Sequence, residues 1–501
     1  MRRHKLLIFL FILFVGLFIY RGADYLDPDF GWHIQIGDLM LKHGIFYTDP
    51  FSYSMPSYHF VDHEWLTDIF WSLIFNQFGI LPLLITLSFL SVASLFLQTA
   101  FVEKKWTAIP LILSALTLFE FVGVRAQVIT WVFLSLLMYI LFQKKLWNKW
   151  RFFLPLLFFG WANLHGGFAA GVGVLGIVLL GRSLEERKNI KENILILLLC
   201  TIVTLINPFG IRLWWEIWMT LSDTQLRWSI SEWYPAYYFT NIAFWIYFTF
   251  SVVLVVRYWK KYTLTELFLY FFLLLEGMTS IRNIPLWIIA TFMMTVRSIS
   301  YLSKESSAYL YGSERFRIAY IGFCIIVLCL VLPQFGVYFY EDYISRDGPD
   351  PYPTQAIAYL RVHTPKQQIF SSYDWGGYLD WQFAQKKVFI DGRMPSWRWQ
   401  ANTPGESNYA LDEYKKVLGE QIPFTIFASK YHITTLLVPK ANMEIPESKI
   451  FGITFPRNSF IGNFLISQKS FYLVVQEAKK LGWRQVYEDR TSFILQKPGN
   501  D

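Results

Sequence analysis

Eleven apolar runs decide what this chain can fold into. A helix needs roughly 20 largely apolar residues to cross a bilayer, sometimes about 17. The candidates are approximately 6–20, 80–102, 107–124, 127–143, 152–164, 167–181, 192–206, 239–256, 263–280, 284–300 and 316–339. Only 16% of the 501 residues are charged, against about a quarter in soluble domains. The mean hydropathy is +0.34. An aromatic content of 19% excludes a disordered chain. Cys200, Cys324 and Cys329 all sit in apolar runs, so a disulfide scaffold is excluded and the three read as inert packing residues. A net charge of +8 is what basic cytoplasmic loops give a membrane protein, and nucleic acid is not expected as a partner. The first run follows a basic N-terminus like a signal peptide, but no small-x-small cleavage site follows it, and it reads as a retained helix.

Lys and Arg in alternate loops orient the chain. With the N-terminus in the cytoplasm, twenty of them fall on inside segments. Six, namely Arg21, Lys42, Arg125, Arg212, Arg227 and Arg282, fall outside. An odd number of helices then puts the C-terminus outside. From about residue 341 the apolar runs stop. Thr354–Val362, Leu411–Leu418 and Phe471–Leu481 read as helices, and Val388–Ile390, Thr434–Val438 and Ser492–Gln496 as strands. The expected fold is an α-helical polytopic membrane protein of about eleven spans over residues 1–340, with a first outer loop at 21–79. A C-terminal extracytoplasmic α/β domain follows at 341–501. The expected location is the cell membrane, with membrane lipids as surroundings.

The polar residues that hydrophobic helices avoid gather on the outer side. Ionisable groups at membrane depth are costly, and are paired or functional. The first outer loop carries Asp27-Pro28-Asp29-Phe30-Gly31-Trp32-His33, then Thr48-Asp49-Pro50-Phe51-Ser52-Tyr53, then Asp62-His63-Glu64-Trp65-Leu66. In the stretch Trp65–Phe78 that follows, Trp65, Ile69, Phe70, Leu73 and Ile74 recur at the spacing of a helix lying in the membrane interface, read as a scaffold for the loop or as the wall of a groove that admits a lipid. Asp27 and Asp29, at i and i+2, suit a divalent cation such as Mg or Mn, a base with its orienter, or a helix cap. Arg125 and Arg282 are candidates to clamp a phosphate, since guanidinium binds its oxygens bidentately; each is equally read as an arginine snorkelling from a helix end. His165, before Gly166 and Gly167, is a ligand-contact or helix-packing residue, with Gly167 and Gly171 in GxxxG spacing. His33, Glu64 and Glu232 join the same outer set. Glu120 and Glu276 are read as partners for Arg125 and Arg282.

This pattern resembles the GT-C superfamily of membrane glycosyltransferases, which use polyprenyl-phosphate-linked sugars. Pro28-Asp29-Phe30-Gly31-Trp32-His33 looks like the P-D-E-x-x-Y segment of aminoarabinose and protein mannosyl transferases. On that match Asp29 takes the family's loop-Asp position, the base candidate. Phe30 stands where a second acid is expected, and Asp27 is its substitute, with metal dependence left open. D-P-D-F-G-W-H, T-D-P-F-S-Y, H-E-W-L, W-A-N-L-H-G-G-F, N-P-F-G and D-W-G-G-Y-L…V-F-I-D-G-R occur in the order seen in a bacterial subgroup of that superfamily. The segment with Asp374, Trp375 and Tyr378 is faintly similar to the W-W-D-Y-G acceptor site of oligosaccharyltransferases. It reads either as an acceptor site or as a Gly-Gly turn between buried strands, with Asp391 and Arg393 paired.

The resemblance implies an inverting transfer from a polyprenyl-phosphate or pyrophosphate sugar to a glycan, lipid or protein acceptor. Asp29, Asp27 and Glu64 are then the catalytic candidates. Arg125, His165, Arg282 and His33 are the candidates for the donor phosphate. Alternatives are a surface-polysaccharide polymerase or ligase, and a lipid-linked sugar transporter or flippase. Transporters usually show inverted repeats and broken mid-membrane helices; here polar groups gather at one face instead.

Overall fold

The structure is a computed structural model that describes residues 2–24, 26–309, 313–345, 350–440, 449–450, 453–454 and 471–499. The chain forms two compact units. The first comprises Met1–Asp27, Asp62–Ile217 and Ile230–Tyr343; the second comprises Pro28–Val61, Trp218–Ser229 and Ile344–Asp501.

The first unit is helical. Its helices are Arg2–Asp24, Trp65–Phe78, Leu81–Leu97, Ala108–Leu118, Gln127–Leu141, Lys144–Trp150, Leu154–Leu164, Phe168–Glu186, Ile190–Val203, Ile242–Arg257, Leu264–Thr279, Ile284–Tyr309 and Ser313–Ser345, with most of Ile211–Ser222. Each of the eleven apolar runs is centred on one of them. Among the described residues, four are long and apolar enough to cross a membrane: Lys5–Asp24, Leu81–Ala100, Phe168–Glu186 and Ile281–Glu305. Gln127–Leu141 with Lys144–Leu164, bent by 106°, makes a fifth if the pair is one span. Several of the other runs, such as Ala108–Leu118, are shorter helices.

Burial in this unit is that of a lipid-facing bundle. Ile8, Phe9, Ile12, Leu195, Leu198, Phe268 and Leu275 are exposed, while Ser91, Ser94, Ser114, Ser135, Ser251 and Thr295 are buried. Small hydroxyl side chains let helices approach and bond across the interface. Ser135 Oγ donates to Ser94 O at 2.7 Å, and the Ser251 hydroxyl lies 2.7 Å from both Tyr270 Oη and Thr295 Oγ1. Cys200 is buried, Cys329 is exposed rather than packed, and the Cys324 side chain lies outside the described residues.

The second unit is α/β. Strands β1 (Gln368–Ser371), β2 (Ile433–Pro439), β3 (Lys449–Ile450), β4 (Ile453–Thr454), β5 (Arg484–Glu488) and β6 (Ser492–Gln496) form a four-stranded sheet of order β1-β2-β6-β5 and a separate β3-β4 pair. β1 runs parallel to β2, and β6 antiparallel to both β2 and β5. β2 is buried along its length, as its unbroken apolar run requires. Helices Phe30–His43, Thr354–Val362, Gly376–Gln382, Ala410–Leu418, Phe424–Lys430 and Tyr472–Lys480 complete the unit. The expected strand at Val388–Ile390 is only an isolated bridge from Val388 to Ser52. That bridge ties residues 28–61 of the first outer loop into this unit, while 62–79 stay with the first: Tyr53 N donates to Val388 O at 2.9 Å, and Val388 N to Phe51 O at 3.0 Å.

Candidate functional site

In the helical unit the W-A-N-L-H-G-G-F segment ends one helix and starts the next. Asn163 anchors it. Its Oδ1 accepts from Trp65 Nε1 at 3.2 Å, and its Nδ2 donates to Phe159 O and Ile206 O at 2.9 Å. Leu164 O accepts from Thr67 Oγ1 at 2.5 Å. These bonds hold helix Trp65–Phe78 against helix Leu154–Leu164. That helix buries its polar face, Thr67, Asp68, Trp71 and Ser72, and exposes Phe70 and Leu73. Of the predicted apolar stripe, Phe70 and Leu73 are exposed, while Trp65, Ile69 and Ile74 are half-buried and Trp65 is turned to Asn163.

The clamp brings Glu64 between two imidazoles. Its Oε1 lies 3.3 Å from His63 Nε2 and 3.1 Å from His165 Nε2. Glu64 and His165 are buried. Burial, the largest influence, pushes the Glu64 carboxyl up, but His165 and His63 outweigh it and hold the group well below its usual range. Burial lowers His63 too, yet Glu64, Asp62 and Glu216 leave its pKa raised. His165 is lowered, first by burial and then by His63 and Arg282, against the pull of Glu64. Asp62, whose Oδ1 accepts from Glu64 N at 2.9 Å, is raised well above its usual value by burial and by Asp68. A Cβ at Gly166 would press on the His63 ring, so the glycine admits the imidazole.

A second cluster involves both predicted arginines. Arg125 pairs with Asp27 through Nε, and its Nη1 lies 2.6 Å from Glu232 Oε1. Arg282 Nη1 reaches Glu232 Oε2 at 3.4 Å, and its guanidinium lies over the Trp233 ring at 5.6 Å. Burial raises the Glu232 carboxyl, but the two arginines bring it below its usual value. Glu232 thus takes the place predicted for Glu120 and Glu276, which instead accept from Asn241 and Asn283. Ser280 Oγ and Ile281 N donate to Glu232 O and Tyr234 O, pinning the Glu232 loop to the Arg282 turn. With its side chain 36% exposed, Arg282 is the most open member of the cluster. Its charge is felt at His165, which ties the two clusters together.

The second unit places the other predicted residues. Asp29 precedes helix Phe30–His43, and its Oδ1 accepts from Trp32 Nε1 at 3.0 Å. Its carboxylate packs on Gly392, where a Cβ would collide with it. Gly31 lies against Gly377 O in the same way, so the D-F-G-W-H, D-W-G-G-Y and I-D-G-R motifs meet through their glycines. His33 is buried, its ring centroid 3.6 Å from that of Trp32. Asp374 is exposed, whereas Trp375 is a core residue donating Nε1 to Pro351 O at 3.0 Å. Tyr378 stacks on Tyr352 at 4.5 Å. Gly376 and Gly377 open a helix rather than a turn between strands. Arg393 pairs with Asp391 as predicted, at 2.6 Å, and also with Asp49 at 2.9 Å.

Asp27 already has a cationic partner in Arg125, and Asp27 and Asp29 belong to different units. Sequence reasoning missed Glu232's double pairing, the Arg393–Asp49 pair and Thr130. Their partners lie 31 to 344 positions away, and no short motif records them.

No protein-family model matches the chain, and no curated protein matches it. Among solved structures it is similar to the crystal structure of ArnT from Cupriavidus metallidurans bound to undecaprenyl phosphate. The identity is 12%, the TM-score 0.48, and the match covers 97% of each chain.

Proposed function

We propose that the chain is an inverting membrane glycosyltransferase that moves a sugar from a polyprenyl-phosphate donor to an extracytoplasmic acceptor. The observation that carries this reading is the buried, ionised Glu64 between two imidazoles, with the partly open Arg282 guanidinium close enough to act on one of them. A carboxylate receives a proton; a guanidinium receives phosphate oxygens. An acceptor hydroxyl attacks the anomeric carbon as the bond to the lipid phosphate breaks. The hydroxyl proton passes to the carboxylate, and the sugar carbon inverts. When bond breaking runs ahead, the attacking oxygen becomes acidic late, and a carboxylate of low pKa suffices. Arg282 takes up the charge on the leaving phosphate, while Arg125, held by Asp27 and Glu232, sets the field around it. Asp29 is the alternative base implied by the family resemblance. Asp374 and Tyr378 are the candidates for contact with the acceptor.

Incubating the purified protein with labelled polyprenyl-phosphate sugars and following release of the lipid phosphate tests the reading. Release is expected, and substituting the base should slow it by about 10²–10⁴-fold. No release from any such donor overturns the reading.

A further inference from the structure

We propose that Thr130 and the Gly167 amide lock His165 as the neutral tautomer with its proton on Nε2. His165 then acts as a fixed hydrogen-bond donor to a substrate oxygen, and Thr130 is its positioning residue. The role for the donor rests on the glycosyltransferase reading; the lock itself does not.

Three bonds on one side of the ring fix the proton. Gly167 N donates to His165 Nδ1 at 2.9 Å. A backbone amide donates only, so Nδ1 must present a lone pair. Thr130 Oγ1 lies 2.7 Å from the same Nδ1. Trp161 Nε1 donates to Thr130 Oγ1 at 3.0 Å, and because Nδ1 already accepts from Gly167 and carries no proton, the Thr130 hydroxyl is the donor in its contact with Nδ1. With two donors on Nδ1, the ring proton sits on Nε2. An imidazolium would set an Nδ1 proton against the Gly167 N–H, which disfavours protonation. The lowered pKa of His165 agrees.

The glycine is required for this contact. A Cβ at Gly167 would overlap Thr130 Oγ1, so no other residue lets the hydroxyl reach the ring. The opposite nitrogen faces the base. Nε2 is buried and 3.1 Å from Glu64 Oε1, which pairs with it at rest; once Glu64 has taken up the acceptor's proton, the Nε2 proton is released to the substrate oxygen. A proton held there, with Arg282 acting on the same ring, suits an oxygen that becomes anionic, as the leaving phosphate does. The same lock excludes His165 as general base and, while neutral, excludes Nε2 as a metal ligand. The charged groups facing the ring are Glu64, His63 and Arg282.

The test uses the full chain in lipid nanodiscs with ¹⁵N-labelled histidine. The His165 ring signals are identified by their loss in His165→Gln. The expected result is an unprotonated Nδ1 and a protonated Nε2 from about pH 5 to pH 8, below and above the ordinary histidine value. Thr130→Val should give mixed tautomers and cut kcat about 10-fold with KM unchanged, and Thr130→Ser should restore both. A proton on Nδ1, or titration near pH 6.5, overturns the lock. So does a Thr130→Val protein indistinguishable from wild type in spectrum and turnover. If the spectra are as expected but no polyprenyl-phosphate sugar is consumed, the lock stands and the functional reading fails.

Discussion

Single residues in this protein are defined by what burial does to their charge. Glu64 and Asp380 are both buried carboxyls with opposite fates. Glu64 has two imidazoles and stays ionised. Asp380 has no hydrogen-bond partner on either oxygen among the described residues. Burial first, then Asp391 and Asp49, drive its pKa well up despite Arg393. An acid with a raised pKa stabilises the fold below its unfolded value, near 3.8, and loses that contribution as pH rises through the folded value. Asp380→Asn removes this dependence. The variant should match wild type near pH 4 and fall less in Tm as pH rises, measured by scanning calorimetry. A Tm difference independent of pH contradicts a neutral Asp380.

At the level of elements, glycines decide which helices meet. A Cβ at Gly31 would strike Gly377 O, where helices Phe30–His43 and Gly376–Gln382 pack together. Gly31→Ala should cost about 1–3 kcal/mol through overpacking. Gly173, in helix Phe168–Glu186, has open space where its Cβ would be. Gly173→Ala should be neutral or stabilise by up to about 1 kcal/mol. Thermal unfolding of both variants checks the contrast, and equal effects would show that the close approach is unimportant. The elements also show what sequence could reveal. Thr354–Val362, β2 and β6 were legible because each has a local apolar pattern. β1 and β5 were not legible, since Gln368–Ser371 and Arg484–Glu488 become strands only by pairing with distant partners. The Glu64–His165 contact was half legible. Both residues stood out as polar groups beside apolar helices, but their meeting depends on bonds from Asn163 and Thr67 to partners distant in sequence, which the W-A-N-L-H-G-G-F motif does not record.

For the whole molecule, the count of basic residues in alternate loops predicts an orientation that can be measured. Lys188 and Lys387 are both exposed, the first in a predicted inside loop and the second in the α/β unit. Lys188→Cys should resist a membrane-impermeant thiol reagent in intact cells, while Lys387→Cys should react. The reverse pattern would invert the topology and place the Glu64 cluster on the cytoplasmic face. The central claim is that this cluster transfers a sugar from a lipid phosphate. Its most direct measurement is single-turnover transfer by full-length protein in nanodiscs, comparing wild type, Glu64→Gln and Arg282→Ala. We expect Glu64→Gln to slow the chemical step by about 10²–10⁴-fold with donor affinity retained. Arg282→Ala should weaken donor binding as well as transfer, since its guanidinium meets the phosphate in both states. Wild-type rates in both variants would contradict the account.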